Sequence, residues 1–273
     1  MYADNTEFAS APTESAAKVP LPFSLEGKKG LITGIANDRS IAWGAAKVCR
    51  SLGAELAVTY LNEKAKPHVE PLAAAVGAEL LMPLDLRHEG ELEAVFEAIA
   101  TRWGKLDFLV HSIAFASEIK SRVIDVTKAG FLEAMELSCW SFIRMAHLAE
   151  PLMTGGGCLV TYSYLGADMV VPNYNVMGPV KAALESVSRY LAAELGPKGI
   201  RVHAVSPGPL RTRAASGIAH FDDLLAQAEA RAPLHQLVDI EDVGNSTAFL
   251  VSDAGKHLTG SLHYVDSGYH IVG

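Results

Sequence analysis

Cysteine is scarce in this chain. Its 273 residues hold three, Cys49, Cys139 and Cys158, widely spaced and with no Cys-x-x-Cys pair. A scattered, odd-numbered set excludes a disulfide scaffold and reads as reduced thiols inside a cytoplasmic protein. No apolar run approaches the ~20 residues that a membrane-spanning helix needs, so no membrane partner is expected. Basic charge is in deficit: 23 Lys and Arg stand against 31 Asp and Glu, a net of -8, with no basic block. That argues against a nucleic-acid partner, because phosphodiester backbones are held largely by cation-driven counterion release. The ten histidines form no His-Glu-x-x-His pattern or His/Cys cluster, so no metal is expected. A Gly-x-Ser-x-Gly elbow and a Walker loop are also missing. The N-terminal stretch lacks the basic and apolar regions of a secretory signal. Residues 1–24 are expected to form a flexible arm.

What is present is apolar and ordered by period. Hydrophobic residues make up 49% of the chain, enough for a large core and too many for a disordered protein. From Leu25 onward, short apolar runs alternate with segments of helical period. Strands are expected at Lys29–Thr33, Glu55–Tyr60, Leu80–Leu84, Leu106–His111, Cys158–Tyr162, Arg201–Val205 and Leu262–Val265. Several are apolar throughout, as in strands buried on both faces of a parallel sheet. Helices are expected at Ser40–Ser51, Glu63–Val76, Glu89–Arg102, Lys128–Glu150, Val180–Leu195, Phe221–Ala230 and Glu241–Val251. Pro179 would sit at the first position of the fifth of these. The alternation predicts a single-domain α/β fold over residues 25–273: a Rossmann-like, doubly wound parallel sheet of about seven strands, helices on both faces, right-handed crossovers. One stretch, about 210–235, interrupts it beyond a strand's carboxyl end, where open α/β sheets bind ligands, and is expected to be a substrate-binding loop.

The first strand leads into Gly34-Ile35-Ala36-Asn37-Asp38-Arg39-Ser40-Ile41-Ala42-Trp43-Gly44. A glycine leaves the strand and Ser40 opens a helix. A pyrophosphate needs the backbone N–H groups and positive dipole end that such a turn supplies. Gly44 is expected to let helix and strand pack closely. After the second strand, Leu61-Asn62-Glu63 offers no cation for a 2′-phosphate, which favours NADH over NADPH. Asp85, after the third strand, is either an exposed carboxylate for the adenine amino group or the start of an Asx turn.

Tyr174 and Lys181 are seven residues apart. In a helix that is about 700° of rotation, placing both on one face about 10 Å apart, and a long lysine can lean back toward the N-terminus. A nearby ammonium would lower the phenol's pKa. Tyr174 would then serve as an acid, or as a hydrogen-bond donor to a developing oxyanion.

In register with these stand His111–Ala116 (HSIAFA), Ser163–Lys181 (SYLGADMVVPNYNVMGPVK), Gly208–Ile218 (GPLRTRAASGI) and Ile240–Asn245 (IEDVGN). Together the motifs resemble the short-chain dehydrogenase/reductase superfamily. Within it they resemble the bacterial NADH-dependent enoyl-acyl carrier protein reductases with a Tyr-x6-Lys pair. The resemblance runs from about Leu25 to the C-terminus. It implies NADH as cofactor, a trans-2-enoyl thioester on acyl carrier protein as substrate, a role in fatty acid synthesis, and a homotetramer. By resemblance, Tyr174 donates to the thioester carbonyl, Lys181 holds the nicotinamide ribose, and Tyr164 is a second tyrosine facing substrate. Gly34, Ser40 and Ile41 match the pyrophosphate and ribose loop, and Leu61, Asp85 and Leu86 match adenosine contacts. Ser112 and Ile113 lie beneath the cofactor, and Ala116 contacts substrate. Leu210, Arg211, Thr212, Arg213 and Ala214 match cofactor contacts at the start of the substrate-binding loop, with Thr212 near the nicotinamide amide. Lys120, Arg122, Arg211 and Arg213 are candidates for an acyl carrier protein patch. Ala114 stands where the family often has Gly, and Leu61 replaces a commonly polar residue. The superfamily's usual Tyr-x3-Lys is absent, since Gly178 occupies that place. A 3-oxoacyl thioester reductase and a catalytically idle dinucleotide binder remain the alternatives.

Overall fold

The computed structural model describes residues 23–212 and 221–272. The expected N-terminal arm falls almost wholly outside them, as do Arg213 and Ala214. Seven strands form one parallel sheet in the order β3-β2-β1-β4-β5-β6-β7. They are β1 (Lys29–Ile32), β2 (Glu55–Tyr60), β3 (Leu80–Pro83), β4 (Phe108–His111), β5 (Gly157–Tyr162), β6 (Ile200–Pro207) and β7 (Leu262–Val265). The central strands β1, β2, β4 and β5 are buried along all but at most their first residue because both faces are covered.

Among the described residues eight α-helices cover the sheet: α1 (Ile41–Ser51), α2 (Lys66–Ala75), α3 (Glu91–Trp103), α4 (Lys128–Met135), α5 (Ser141–Ala149), α6 (Met177–Leu195), α7 (Phe221–Arg231) and α8 (Ile240–Val251). One core packs α3, α4, α5 and α6 against Leu31, Leu109, Leu159 and Val202. The other packs α1, α2 and α8 against Ile32, Val58, Val110 and Val160. Strand order reverses between β1 and β4, which opens a crevice at their carboxyl ends.

Three expectations are corrected. The β5-α6-β6 and β6-α8-β7 connections advance in the same direction, yet their helices lie on opposite faces. They therefore have opposite hands, and the crossovers are not all right-handed. The long excursion after β6 gives the chain room to change faces. Second, Gly44 serves helix-helix rather than helix-strand contact. A Cβ at Gly44 would lie 2.0 Å from the Ile240 carbonyl oxygen, and one at Gly244 would lie 2.6 Å from that of Gly44. Gly244→Ala is therefore expected to destabilise the fold by about 1–3 kcal/mol, the usual cost of overpacking, as read by urea unfolding. Third, the segment read as one helix at Lys128–Glu150 contains a π-helical turn at Glu136–Trp140 between α4 and α5. Apolar periodicity runs through such a turn and does not reveal it.

Candidate active site

The β1-α1 turn is built around Gly34 and Ser40. Gly34 has φ +89°, and a Cβ there would lie 2.0 Å from the Ser112 carbonyl oxygen, so only glycine fits between the ends of β1 and β4. Ser40 occupies the N-cap position of α1 without making the capping bond. Its Oγ instead accepts from the amides of Ala36 and Asn37, both at 3.0 Å, and so shapes the loop. Ile41 opens α1, where the first amides have no partner within the helix and the dipole is positive. This turn can receive a pyrophosphate.

Around the crevice, Leu61 is 48% exposed just beyond β2. Asp85 is buried, not exposed as one reading expected. Its carboxylate accepts from the Arg87 amide at 3.1 Å, an Asx turn, and from Arg87 Nε at 2.8 Å. The Arg87 guanidinium accordingly holds Asp85 below the ordinary carboxylate range. Leu86 is half-buried against the core. Ser112, Ile113 and Ala116 lie in the loop after β4, and Ala114 is exposed. The π turn explains how this loop is held: Ser138 Oγ accepts from the Phe115 amide at 2.9 Å and donates to the Phe115 carbonyl at 3.1 Å. Beyond β6, Leu210 is buried and accepts from the Thr212 amide, while Arg211 pairs with Asp222 at 2.6 Å. Arg122 likewise pairs with Asp125, at 3.7 Å.

At the catalytic end, Tyr174 is not on the helix. α6 begins at Met177, so Pro179 lies in its first turn, not at its first position. Asn173 and Asn175 have φ +65° and +47° and flank Tyr174 in the turn before it. Asn tolerates that region better than other side-chain-bearing residues, and the Asn-Tyr-Asn spelling was the available signal. The two-turn helical spacing of Tyr174 and Lys181 is therefore replaced by a turn plus a first helical turn. Asn175 Nδ2 fastens this turn to the Ile119 carbonyl at 2.7 Å. Two glycines make room: a Cβ at Gly166 would lie 2.4 Å from the Tyr174 ring, and one at Gly178 would lie 2.9 Å from the Gly166 carbonyl oxygen. Gly178 is thus needed for close approach where the superfamily's usual lysine would stand.

Tyr164 and Tyr174 meet edge to face, their centroids 4.9 Å apart at 63°. The Tyr164 hydroxyl is buried with no hydrogen-bond partner among the described residues. Lys181 is 5% exposed, and its Nζ donates to the Tyr162 carbonyl at 2.7 Å. The expected lowering of the Tyr174 pKa is overturned. Burial pushes this phenol up, reinforced by Tyr164 and Glu185. Burial also pushes Tyr164 up. Both stay protonated, which suits hydrogen-bond donation. Burial drives Lys181 the other way, to about 8, against Cys139 and Glu185.

The supporting contacts of two residues escaped the sequence reading. His111, at the end of β4, is held between Thr161 Oγ1 at 2.8 Å and Ser141 Oγ at 2.9 Å, and burial lowers it to about 3, so it stays neutral. Glu185 accepts from Ser163 Oγ. His111 opens the HSIAFA motif, which carries no sign of its partners on β5 and α5, and Glu185 belongs to no local motif although it lies one helical turn beyond Lys181.

The residues fit a dinucleotide. A glycine-only turn and helix N-terminus face the switch point, a buried ammonium has one carbonyl partner, and a buried hydroxyl lacks one. The fold and this site define a nicotinamide-dependent oxidoreductase of the short-chain dehydrogenase/reductase kind. Residues 34–270 match the family described as Enoyl-(Acyl carrier protein) reductase. The chain belongs to that family. The NADH-dependent enoyl-[acyl-carrier-protein] reductase 2 of Rhizobium meliloti strain 1021 is 49% identical over 250 residues, 91% of this chain and 93% of that protein. The reductase of Anaplasma phagocytophilum, solved in complex with NAD, is 48% identical with a TM-score of 0.88, covering 91% of this chain and 96% of that one. The Bacillus cereus reductase, solved with NADP+ and indole naphthyridinone, is 43% identical with a TM-score of 0.88, covering 91% and 98%.

Proposed function

We propose that this chain uses NADH to reduce the carbon-carbon double bond of a trans-2-enoyl thioester carried on acyl carrier protein, in fatty acid synthesis. The observation that carries the mechanism is the pair of half-buried, protonated tyrosines, packed edge to face, beside the buried Lys181. When bound, the dinucleotide supplies the hydride that adds to the β-carbon. Negative charge then develops on the thioester oxygen as an enolate, stabilising it is the catalytic task, and a proton drawn from solvent to the α-carbon completes the reduction. Tyr174 donates a hydrogen bond to that oxygen, and its high pKa keeps the proton in place as the charge builds. Tyr164 presents its unpartnered hydroxyl to the same pocket. Lys181 holds the nicotinamide ribose and supplies a positive field. Gly34, Ser40 and Ile41 hold the pyrophosphate, Leu61, Asp85 and Leu86 line the adenosine, and Ser112 and Ile113 support the cofactor from below. Both Asp85 oxygens already accept from the Arg87 guanidinium, so only their remaining lone pairs are left for adenosine.

Ala116 contacts the acyl group, Leu210, Arg211, Thr212, Arg213 and Ala214 supply cofactor contacts at the start of the stretch of about 210–235, and α7 within that stretch lines the acyl channel. The described part supports this: Ala228 of α7 and the following Ala232 pack on Leu165 and Tyr269, next to Tyr164. Crotonyl and acetoacetyl thioesters compared in one NADH-oxidation assay test the activity. Turnover of the crotonyl compound is expected, and turnover of acetoacetyl alone would move the assignment to a 3-oxoacyl reductase. Gly178, four residues after Tyr174, favours the first.

The proposed setting is the cytoplasm, consistent with three buried free thiols. Among the described residues no helix is long and apolar enough to cross a membrane, and no cluster of three or more His, Cys, Asp or Glu could hold a metal. The proposed assembly is a homotetramer. Phe131, Leu132, Trp140 and Ile143 on α4, the π turn and α5, with Tyr190 on α6, are at least 37% exposed, an apolar surface suited to a second copy. Light scattering is expected to give roughly four times 29.1 kDa. Trp140→Glu is expected to lower that mass.

A further inference from the structure

We propose that Glu185 is a positioning residue of the reduction, holding the β5 exit that carries Tyr164 through Ser163 and keeping the Lys181 ammonium charged. The proposal rests on enoyl reduction as the activity. Lys181 and Glu185 are one turn apart on α6 and so share a face. They grip successive residues where β5 ends: Lys181 donates to the Tyr162 carbonyl, and Glu185 accepts from Ser163 Oγ. The Ser163 amide is in turn tied to the Val205 carbonyl of β6 at 2.7 Å. The next residue is Tyr164, whose ring packs on Tyr174. Rotation or slippage of this exit would move both phenols together.

The electrostatics agree with the geometry. Facing Lys181 are His111 from β4, neutral, and Cys139 from the π turn, a thiol that burial pushes up. Glu185 is the carboxylate that opposes the loss of the Lys181 proton. Burial raises the Glu185 carboxyl, aided by Asp168, while Ser163, Arg189 and Lys181 hold it down. Its charge also reaches Tyr174 and, on β7, Tyr264. Glu185 forms no ion pair with Lys181 within 4 Å, so it acts as a field rather than as a partner that would occupy the ammonium.

The test is the pH profile of kcat/KM for NADH, and of NADH affinity by fluorescence, in wild type, Glu185→Gln, Glu185→Asp and Ser163→Ala, with thermal melts as the control for folding. Glu185→Gln keeps an acceptor for Ser163 but removes the charge. It is expected to match wild type near pH 6 and to lose roughly tenfold by about pH 8.5, an alkaline limb displaced toward acid by about one unit. Glu185→Asp is expected to keep the limb in place. Ser163→Ala is expected to lower kcat at every pH without moving the limb. A Glu185→Gln profile parallel to wild type, or an unchanged kcat in Ser163→Ala, would overturn the proposal. The affinity profile requires no thioester, so the limb is read even if crotonyl turnover fails, an outcome that would count against enoyl reduction and not against the Lys181–Glu185 coupling.

Discussion

Tyr174→Phe is expected to lower kcat on a crotonyl thioester by about a hundredfold or more while leaving NADH affinity within about twofold of wild type. The substitution removes one oxygen and keeps the ring that packs against Tyr164 and Gly166. The fold should therefore be retained. What disappears is the donor aimed at the forming oxyanion, a kind of interaction worth about 10²–10³ in rate when removed singly. The donor matters only as charge builds, so the loss should fall on kcat rather than on KM. Single-turnover kinetics with pre-bound NADH measures it directly. A loss below fivefold would mean that Tyr164, not Tyr174, faces the oxygen, and Tyr164→Phe would then carry the large effect.

Lys181→Met is expected to lower kcat/KM for NADH by about a hundredfold or more, because it removes both the grip on the ribose and the cation beside the reacting centre. Wild type should show the matching pH dependence: kcat/KM for the dinucleotide, which reports free-enzyme groups, falls as pH rises through about 8, where the buried ammonium loses its proton. The stability consequence has the opposite sign. Burial depresses Lys181 from its ordinary 10.5 to about 8, so the unfolded chain binds more protons between those values, and wild-type stability rises with pH across that window. Relative to wild type, Lys181→Met therefore keeps a constant offset below about pH 8 and loses ground between about 8 and 10.5. Urea unfolding of both proteins at pH 7, 9 and 10.5 checks the trend, and an offset independent of pH would show that Lys181 is not titrating in the folded protein. A residue that weakens the fold while serving the reaction is what a functional site built around a buried charge entails.

The strands show how much was legible locally. Every expected strand is present, displaced by no more than two residues at either end, since an apolar run flanked by turn residues is a short-range signal. The Gly34-to-Ser40 turn was equally readable, because a left-handed glycine and a helix opening are written in adjacent residues. The Tyr-x6-Lys pair is visible in its spacing, but helical periodicity is not what brings the two residues together. Two asparagines with positive φ end the helix before it reaches Tyr174, and burial reverses the direction of the phenol's shift.

Composition and periodicity by themselves determined an acidic α/β chain with a parallel sheet, a nucleotide turn and a tyrosine-lysine pair, since each depends on residues close together in the chain. The tertiary structure alone decided which face α8 covers, that Gly44 meets Gly244 rather than a strand, that Ser138 of a π turn supports the loop after β4, and that Ser163, next to Tyr164, donates to Glu185. These contacts join positions about 20 to 200 residues apart. Their strength and even their sign come from desolvation and close packing, quantities that exist only once the chain has folded.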